Sequence, residues 1–447
     1  MNNFSTLLFS LLFILSGSLA AQSALQNSPK KIRMAKAPAN QINYTGFEPA
    51  QAGAVEHYTP SSGTEKEIDQ EIQIGRTIYD LQSNSASCNR ISGTPAGRVA
   101  GVWTQGLDEA GGAYPDRGTG YNTRIDGTWG DLPEARLETV RTGWPNHVFT
   151  ASGKEFVVAH TGTNLLSVLT RDNATAAWAE STIPSTAAGG LLWPRAAVGG
   201  ADGESIHVIA ITTPIANGGM AFEGVDGHIL YHRSTDSGAT WDKVDIQIDG
   251  LGSDFTVGTD ADSYQIHARG NVVAFAVFNG FDDVLLFKSE DNGETWTKSI
   301  VNDFPLELYQ VDDGYAYEDI PPFDEEVSPD SLAMFTSDGF GSVVVDYTGK
   351  AHVFFGEMWV LDDDLTDGNS SYFPGTDGIA YWNEDYPGLA LEPTTILGVV
   401  DQNGNDTLDI ESTEAISLYF ASLSSMPSAG VDQQGNLNVT YASVVEG

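Results

Sequence analysis

Twice in the middle of the chain the same eight-residue frame appears, first as Ser234-Thr235-Asp236-Ser237-Gly238-Ala239-Thr240-Trp241 and then as Ser289-Glu290-Asp291-Asn292-Gly293-Glu294-Thr295-Trp296. The first follows Ile229-Leu230-Tyr231 and the second Val284-Leu285-Leu286-Phe287, and each precedes another short apolar run. Such runs on both sides make each frame the tip of a β-hairpin. The Asp carboxylate is placed to accept turn N–H groups, and the Gly two positions later permits a positive φ. The Trp is then free to fold over the hairpin, with its indole N–H directed to a polar partner.

The pattern Ser-x-Asp-x-Gly-x-Thr-Trp resembles the Asp-box, or bacterial neuraminidase repeat, of sialidase-like β-propellers. That resemblance implies a structural role on the propeller rim, away from any active site, for Ser234, Asp236, Gly238, Thr240, Trp241, Ser289, Asp291, Gly293, Thr295 and Trp296. A degenerate version runs from Thr170 to Trp178.

A second repeat interlocks with the first. Asp346-Tyr347-Thr348-Gly349-Lys350-Ala351-His352-Val353 matches Asp432-Gln433-Gln434-Gly435-Asn436-Leu437-Asn438-Val439, and Gly97, Gly153, Gly203 and Gly270 occupy the same register before other apolar runs. The six glycines are spaced 56, 50, 67, 79 and 86 residues apart. These are the lengths of four-stranded blades with lengthening loops. The two frames fall where the third and fourth copies need an outer hairpin. This agreement predicts an all-β, six-bladed, sialidase-like propeller over residues 87–447, with the last blade incomplete because Gly447 follows Gly435 so soon. Either a segment near Thr77 to Leu81 completes that blade or the chain is a fragment of a longer one, and the sequence favours the fragment.

Ahead of the repeats, Leu7 to Leu19 is an apolar run with small residues Ser18 and Ala20 before a cleavage point. Residues 1–20 read as a secretion signal, although no Lys or Arg precedes the run, and no later segment is apolar enough to span a bilayer. Residues 21–86 read as a polar, partly extended leader with a basic cluster at Lys30, Lys31, Arg33 and Lys36. Ile68, Ile72, Ile74 and Ile78 suggest a short helix between Glu65 and Leu81.

Charge narrows the choice of partner. With 61 acids against 21 bases, the net charge of −40 argues against nucleic acid and anionic membranes. It is compatible with divalent cations, a salty medium or solubility alone. The single Cys88 permits no intramolecular disulfide and reads as a buried thiol.

Three insertions break the blade rhythm. The stretch Asn302 to Asp330 mixes Asp303, Glu307, Asp312, Asp313, Glu318 and Asp319 with Tyr309, Tyr315 and Tyr317, and Asp362-Asp363-Asp364 with Asp367 forms a second acidic stretch. Each has two readings, a cation or sugar site and a solvated loop. The third insertion offers Asp401, Asn403, Asn405 and Asp409 at the first, third, fifth and ninth positions of a Ca²⁺ loop. Asp406 stands where such a loop has Gly and Ser412 where it has Glu, so Glu411 or Glu414 would have to substitute. A plain Asn/Asp/Gly turn is the equal alternative.

Resemblance to sialidases implies three arginines gripping a carboxylate, a Tyr activated by Glu, and an Asp acid/base. Asn89-Arg90-Ile91-Ser92 stands where the family has its first arginine, and Asp108 or Asp116 where the acid/base Asp might follow. The family's proline is absent, and no arginine follows Arg269. Lysine lacks the planar fork that grips a carboxylate. His207 and His352 stand at equivalent repeat positions, which marks them as structural. The expected function is a secreted or cell-surface module binding a carbohydrate or a protein; the alternative is an exo-acting, sialidase-like glycoside hydrolase.

Overall fold

The computed structural model describes residues 35–38, 45, 71–87, 89–110, 114–316, 319–320, 332–385, 394–399 and 420–444. Strand β1 (Ala35–Pro38) lies in the leader. The first blade is β2 (Ile91–Gly93), β3 (Val99–Gln105), β4 (Gly118–Ile125) and β5 (Thr128–Trp129). The second is β6 (Thr142–Phe149), β7 (Glu155–Thr161), β8 (Leu166–Arg171) and β9 (Ala179–Thr182), and the third β10 (Leu191–Gly199), β11 (Ser205–Thr212), β12 (Ile229–Ser234) and β13 (Lys243–Ile246). The fourth is β14 (Tyr264–Arg269), β15 (Val272–Val277), β16 (Val284–Ser289) and β17 (Thr297–Asn302).

These four are antiparallel sheets in simple sequential order. In the fifth blade β18 (Met334–Val345) pairs with β19 (Ala351–Leu361), whose far end pairs with β20 (Asn369–Tyr372) and whose near end pairs with β21 (Ile379–Asn383); β22 (Thr394–Leu397) follows β21. Strand β1 joins this blade through β20, with Ala35 opposite Tyr372. Among the described residues the sixth blade is the pair β23 (Ser424–Val431) and β24 (Leu437–Ser443). The expected all-β, six-bladed architecture is borne out, and each of the six register glycines sits in the turn between the first two strands of its blade.

First strands of successive blades lie side by side around the axis, β6 against β10, β10 against β14, β14 against β18 and β18 against β23. The apolar cores therefore lie between blades. Phe156, Val158 and Val168 of the second blade meet Ile206, Val208 and Leu230 of the third, and Ala276, Phe278 and Leu286 of the fourth meet Val343, Val353 and Phe355 of the fifth. Strands β6, β7 and β11 are buried on both faces, and β7 and β11 accordingly carry apolar runs such as Phe156-Val157-Val158-Ala159 and Val208-Ile209-Ala210-Ile211 instead of a clean alternation.

The leader departs from two expectations. Residues 71–81 form no helix: Ile72 and Ile78 are exposed, and the segment runs extended over the first blade. Gly75, a poor helix residue, lies flat on Trp103, where no Cβ fits; Asn122 donates to the Ile74 carbonyl at 2.7 Å and the Trp103 indole to that of Arg76 at 3.3 Å. The stretch Thr77 to Leu81 also does not complete the sixth blade. The Ile78 N–H bonds the Gly106 carbonyl at 2.9 Å and the Thr77 hydroxyl that of Thr104 at 3.1 Å, so both belong to the first blade.

Gly293 is the tightest of the turn glycines. It has φ +81, and a Cβ there would run into the Tyr231 hydroxyl of the preceding blade, whereas Gly435 has φ +85 and open space around it. Gly435→Ala should cost about 1 kcal/mol from backbone strain alone. Gly293→Ala adds overpacking of about 1–3 kcal/mol. Urea denaturation checks the order, and equal losses would contradict the contact.

Candidate binding face

In an up-and-down four-stranded blade, the turns between strands one and two and between strands three and four share one end. The loops between strands two and three, and the connections to the next blade, share the other. The Ser-x-Asp-x-Gly-x-Thr-Trp turns therefore lie at the turn end, and the long insertions lie at the loop end.

At the turn end Asp236 Oδ1 accepts the Thr240 N–H and the Ser234 hydroxyl, both at 2.8 Å, while Oδ2 accepts the Thr240 hydroxyl at 2.6 Å. Asp291 repeats the set with Thr295 and Ser289 at 2.8, 2.7 and 2.6 Å. Those hydrogen bonds hold the Asp291 carboxyl at about 2. In the degenerate turn the role passes to Asn173, whose Oδ1 accepts from Thr175 and Ala176.

Each frame fastens its blade to the one before. Trp241 packs toward Phe156 of the second blade, and Trp296 packs edge-on against Tyr231 of the third. Arg233 of the third blade donates to the Asn292 carbonyl at 2.6 Å and pairs with Glu294 at 2.6 Å. One expectation fails here: the Trp296 indole nitrogen is buried without a partner. Its ring is gripped edge-on by Tyr231 and Phe275, so packing and not the N–H fixes its position.

Glu155, whose side chain is fully buried, anchors a seam between the first and second blades. Arg98 and Arg171 pair with its Oε1, the latter at 2.6 Å, while the Tyr121 hydroxyl and His147 Nε2 meet Oε2 at 2.6 and 3.1 Å. Burial alone would raise its pKa, but the hydrogen bonds from His147, Arg171 and Tyr121 outweigh it and hold the carboxyl at about 2. The Tyr–Glu pairing has the members of the sialidase nucleophile, yet burial and then the Glu155 charge push the Tyr121 phenol up to about 12. A hydroxyl whose carboxylate partner is held at about 2 has no base strong enough to activate it as a nucleophile. Ser92 Oγ lies 2.5 Å from His147 Nδ1, but the acid beyond that imidazole is already held by two guanidinium groups.

At the loop end of the axis, the inner strands open with a bulge or kink where one residue takes positive φ. These are Trp144 (φ 55), Trp193 (φ 47), Asp262 (φ 66), Gly339 (φ 84) and Met426 (φ 56). Trp144, Trp193 and Met426 are each followed by Pro, a third repeat that the sequence analysis overlooked. The proline fixes the strand beyond the bulge and excludes the helical region for the residue before it. Trp144 and Trp193 are fully buried and turn their rings into the centre.

The central carboxylate is Asp262, itself buried. Its Oδ1 accepts from Arg195 Nη2 at 2.8 Å, and its Oδ2 from the Trp144 indole and the Asn84 N–H, both at 2.8 Å. The segment Ser83 to Ser87 crosses the axis here, with Asn89 beyond it. Ala86 accepts from Arg195 at 2.9 Å, Ser87 accepts from Gln265 at 3.3 Å, and Asn89 donates to the Ala196 carbonyl at 2.6 Å. The second axial carboxylate, Asp338, takes the Ser425 hydroxyl at 2.6 Å and the Ser422 and Phe340 N–H groups at 3.1 Å, and burial holds it up at about 6.

Beside this centre Arg117 donates to the carbonyls of Thr142 and Thr45, and His160 Nε2 also meets the Thr45 carbonyl at 3.0 Å. His160 Nδ1 accepts the Trp193 N–H at 3.2 Å, so a proton there would oppose a donor. Burial, followed by the charges of Arg117 and Arg195, brings its pKa down to about 3.

The residues that the sialidase reading would need are dispersed. Arg90 bonds the Gln82 carbonyl, and Asp116 accepts the N–H groups of Leu107 and Asp108 at 2.8 and 3.1 Å, as a brace of its own loop. His207 and His352 each stack on a tyrosine of the neighbouring strand, with Nδ1 at 2.7 Å from Tyr231 Oη and 2.9 Å from Tyr381 Oη. Asp401, Asn403, Asn405 and Asp409 lie outside the described residues, as does Cys88.

Two features of the loop end offer chemistry. Loops 213–227 and 250–260 touch, with Asp226 bonding the Val257 and Thr259 backbone, and they expose Ile215 (58%), Met220 (55%), Phe255 (48%) and Val257 (37%). Lys298 Nζ stands 4.8 Å above the Phe255 ring. Nearby, burial raises Asp282 and takes the half-buried Asp283 to about 6. Among the described residues no helix is long and apolar enough to cross a membrane.

No family model and no curated protein matches the chain. Similar solved structures include a protein of unknown function from Dyadobacter fermentans, 11% identical over 83% of this chain and 95% of that one, with a TM-score of 0.40. The NanB sialidase of Streptococcus pneumoniae is 10% identical over 83% and 67%, with a TM-score of 0.41. The six-bladed fungal lectin of Aleuria aurantia, described with a fucose recognition mode, is 11% identical over 45% and 56%, with a TM-score of 0.32. At such scores these likenesses carry no argument about what the chain does, and its own residues must supply it.

The His160 imidazole gives a pH prediction. Its folded pKa of about 3 lies below the free value of 6.5, so the unfolded chain binds more protons. The neutral ring therefore contributes stability above the free value, and that contribution falls away as pH drops towards 3. His160→Gln, which keeps one donor and one acceptor, should make the unfolding free energy less steep between pH 6.5 and 4. An unchanged slope in denaturant titrations across that range would show that the ring is protonated in the fold.

Proposed function

We propose that this chain is a secreted or cell-surface propeller that binds a carbohydrate or protein partner on its loop end and does not hydrolyse glycosides. The observation that carries this reading is the division of labour between axis and loops. Both axial carboxylates, Asp262 and Asp338, are engaged by internal donors, and Ser83 to Ser87 crosses the place where a substrate sugar would sit. Ile215, Met220, Phe255 and Val257 instead form an exposed apolar platform on adjoining loops, with a cation held over one ring. Platforms of this kind mark recognition surfaces, and a flat aromatic face suits a sugar ring or a protein side chain equally.

The same proposal takes the two Ser-x-Asp-x-Gly-x-Thr-Trp turns as Asp-boxes, supported by their carboxylate hydrogen bonds, and takes residues 1–20 as the export signal. It includes Ca²⁺ at Asp401, Asn403, Asn405 and Asp409 as a separate binding loop.

One observation favours the glycosidase reading. Asp283, held at about 6, has the raised pKa that a general acid needs. A panel of fluorogenic glycosides, sialosides included, and a glycan array separate the two. The binding reading expects no turnover and capture of at least one glycan or protein partner, lost in Phe255→Ser and Ile215→Ser with the melting temperature held. Turnover of any glycoside that disappears in Asp283→Asn would overturn it.

A further inference from the structure

The two acidic stretches that read ambiguously in the sequence meet in space. Asp362 is 4% exposed; its Oδ2 accepts the Tyr309 hydroxyl at 2.6 Å and the Asp312 N–H at 2.7 Å, while its Oδ1 is buried without a partner. Asp312 mirrors this arrangement. Its Oδ2 accepts the Gly368 N–H at 3.1 Å, its Oδ1 is likewise buried and unpartnered, and its backbone is held at φ +76. Two neighbouring carboxylates thus each keep one buried oxygen that no donor among the described residues reaches.

Among the described residues no lysine, arginine or histidine side chain pairs with either carboxylate. Beyond Lys298 the whole remaining sequence has one basic side chain other than His352, namely Lys350, and that residue pairs with Asp385. A water would supply a hydrogen bond but leave two adjacent negative charges out of bulk solvent. A bound cation answers both needs at once, and unsatisfied buried oxygens of this kind are where an ion belongs.

We propose that loops 309–316 and 361–369 bind a hard divalent cation, Ca²⁺ by the chemistry of its donors, between Asp312 and Asp362. The donors are oxygens only, which excludes the thiolate and imidazole metals, and they stand on irregular loops that suit Ca²⁺ better than the strict octahedron of Mg²⁺. Among the described residues no group of three or more His, Cys, Asp or Glu side chains converges as a metal cluster. Backbone carbonyls and water must therefore complete the shell, and the affinity falls in the range of about 10⁻⁴–10⁻³ M known for extracellular modules. The ion clips the connection that precedes the fifth blade onto the long loop inside that blade. This inference stands whether or not the propeller binds a glycan.

The test uses the full chain carrying Asp401→Ala, so that the other acidic loop is silent, stripped with EDTA and titrated with CaCl₂ alone. Melting temperature is the first readout. The second is Tb³⁺ luminescence sensitised by Tyr309 and Tyr315, displaced by Ca²⁺. We expect Ca²⁺ to raise the melting temperature of this parent, and Asp362→Asn or Asp312→Asn to abolish both the rise and the Ca²⁺-displaceable emission. Without Ca²⁺, Asp362→Asn should melt no lower than its parent, because it removes an unpaired charge. The inference is overturned if the parent shows no rise, if the rise survives in both variants, or if Asp362→Asn lowers the melting temperature equally with and without Ca²⁺.

Discussion

The carboxylate of Asp262 is the point on which the rest of the molecule turns. It sits in the dry centre of the propeller, and its donors come from the second blade (Trp144), the third (Arg195) and the leader (Asn84). A buried ion pair adds little net stability over a hydrophobic replacement, but loss of one partner leaves an uncompensated charge and costs about 3–5 kcal/mol. What the pair supplies is therefore specificity. Only one placement of the inner strands, with Trp144, Trp193 and Asp262 all at positive φ, satisfies that oxygen pair. Such strained residues usually mark functional sites. In this chain the same strain aims side chains at one another and closes the axis.

Closure of the axis has consequences at both ends. At the turn end Trp241 packs on Phe156 of the preceding blade, and charge-assisted hydrogen bonds from Arg233 to Asn292 and from Arg98 to Glu155 tie further neighbouring blades. The loop end instead exposes Ile215, Met220, Phe255 and Val257 and carries the acidic loops around Asp312 and Asp362. Acidic and basic residues are distributed just as unevenly. The first four blades neutralise several of their acids internally through Arg98, Arg171, Arg195 and Arg233, while the chain beyond Lys298 has almost no base to do so. The basic leader strand β1, with Lys36 opposite Ser371, meets this acidic part of the chain.

Much of the fold was legible because repeats announce themselves. Six glycines in register located every first turn, and the two frames located the outer hairpins of the third and fourth blades. The leader was misread because Ile72, Ile74 and Ile78 mimic helical spacing, while Gly75 and a blade face that needed covering decided the matter. The Glu155 seam was invisible, since Arg98 comes from a turn and Tyr121, His147 and Arg171 from three separate strands, with no common spacing. The axial centre was legible in principle. Trp144-Pro145, Trp193-Pro194 and Met426-Pro427 recur at the same blade position, but three dipeptides far apart in sequence gain meaning only once the blades are aligned. Asp312 and Asp362 were each noted within an acidic stretch, but their meeting depends on loops whose course no pattern encodes.

Closure of the axis by Ser83 to Ser87 can be read directly from amide hydrogen exchange at Asn84, whose N–H bonds Asp262 at 2.8 Å. A segment that is part of the core exchanges only when the whole fold opens. The account predicts that the Asn84 amide is protected as strongly as the amides of β10 and β14. Exchange at the rate of a free peptide while those strands stay protected would mean that the segment leaves the axis, and the centre would then be a site open to ligands.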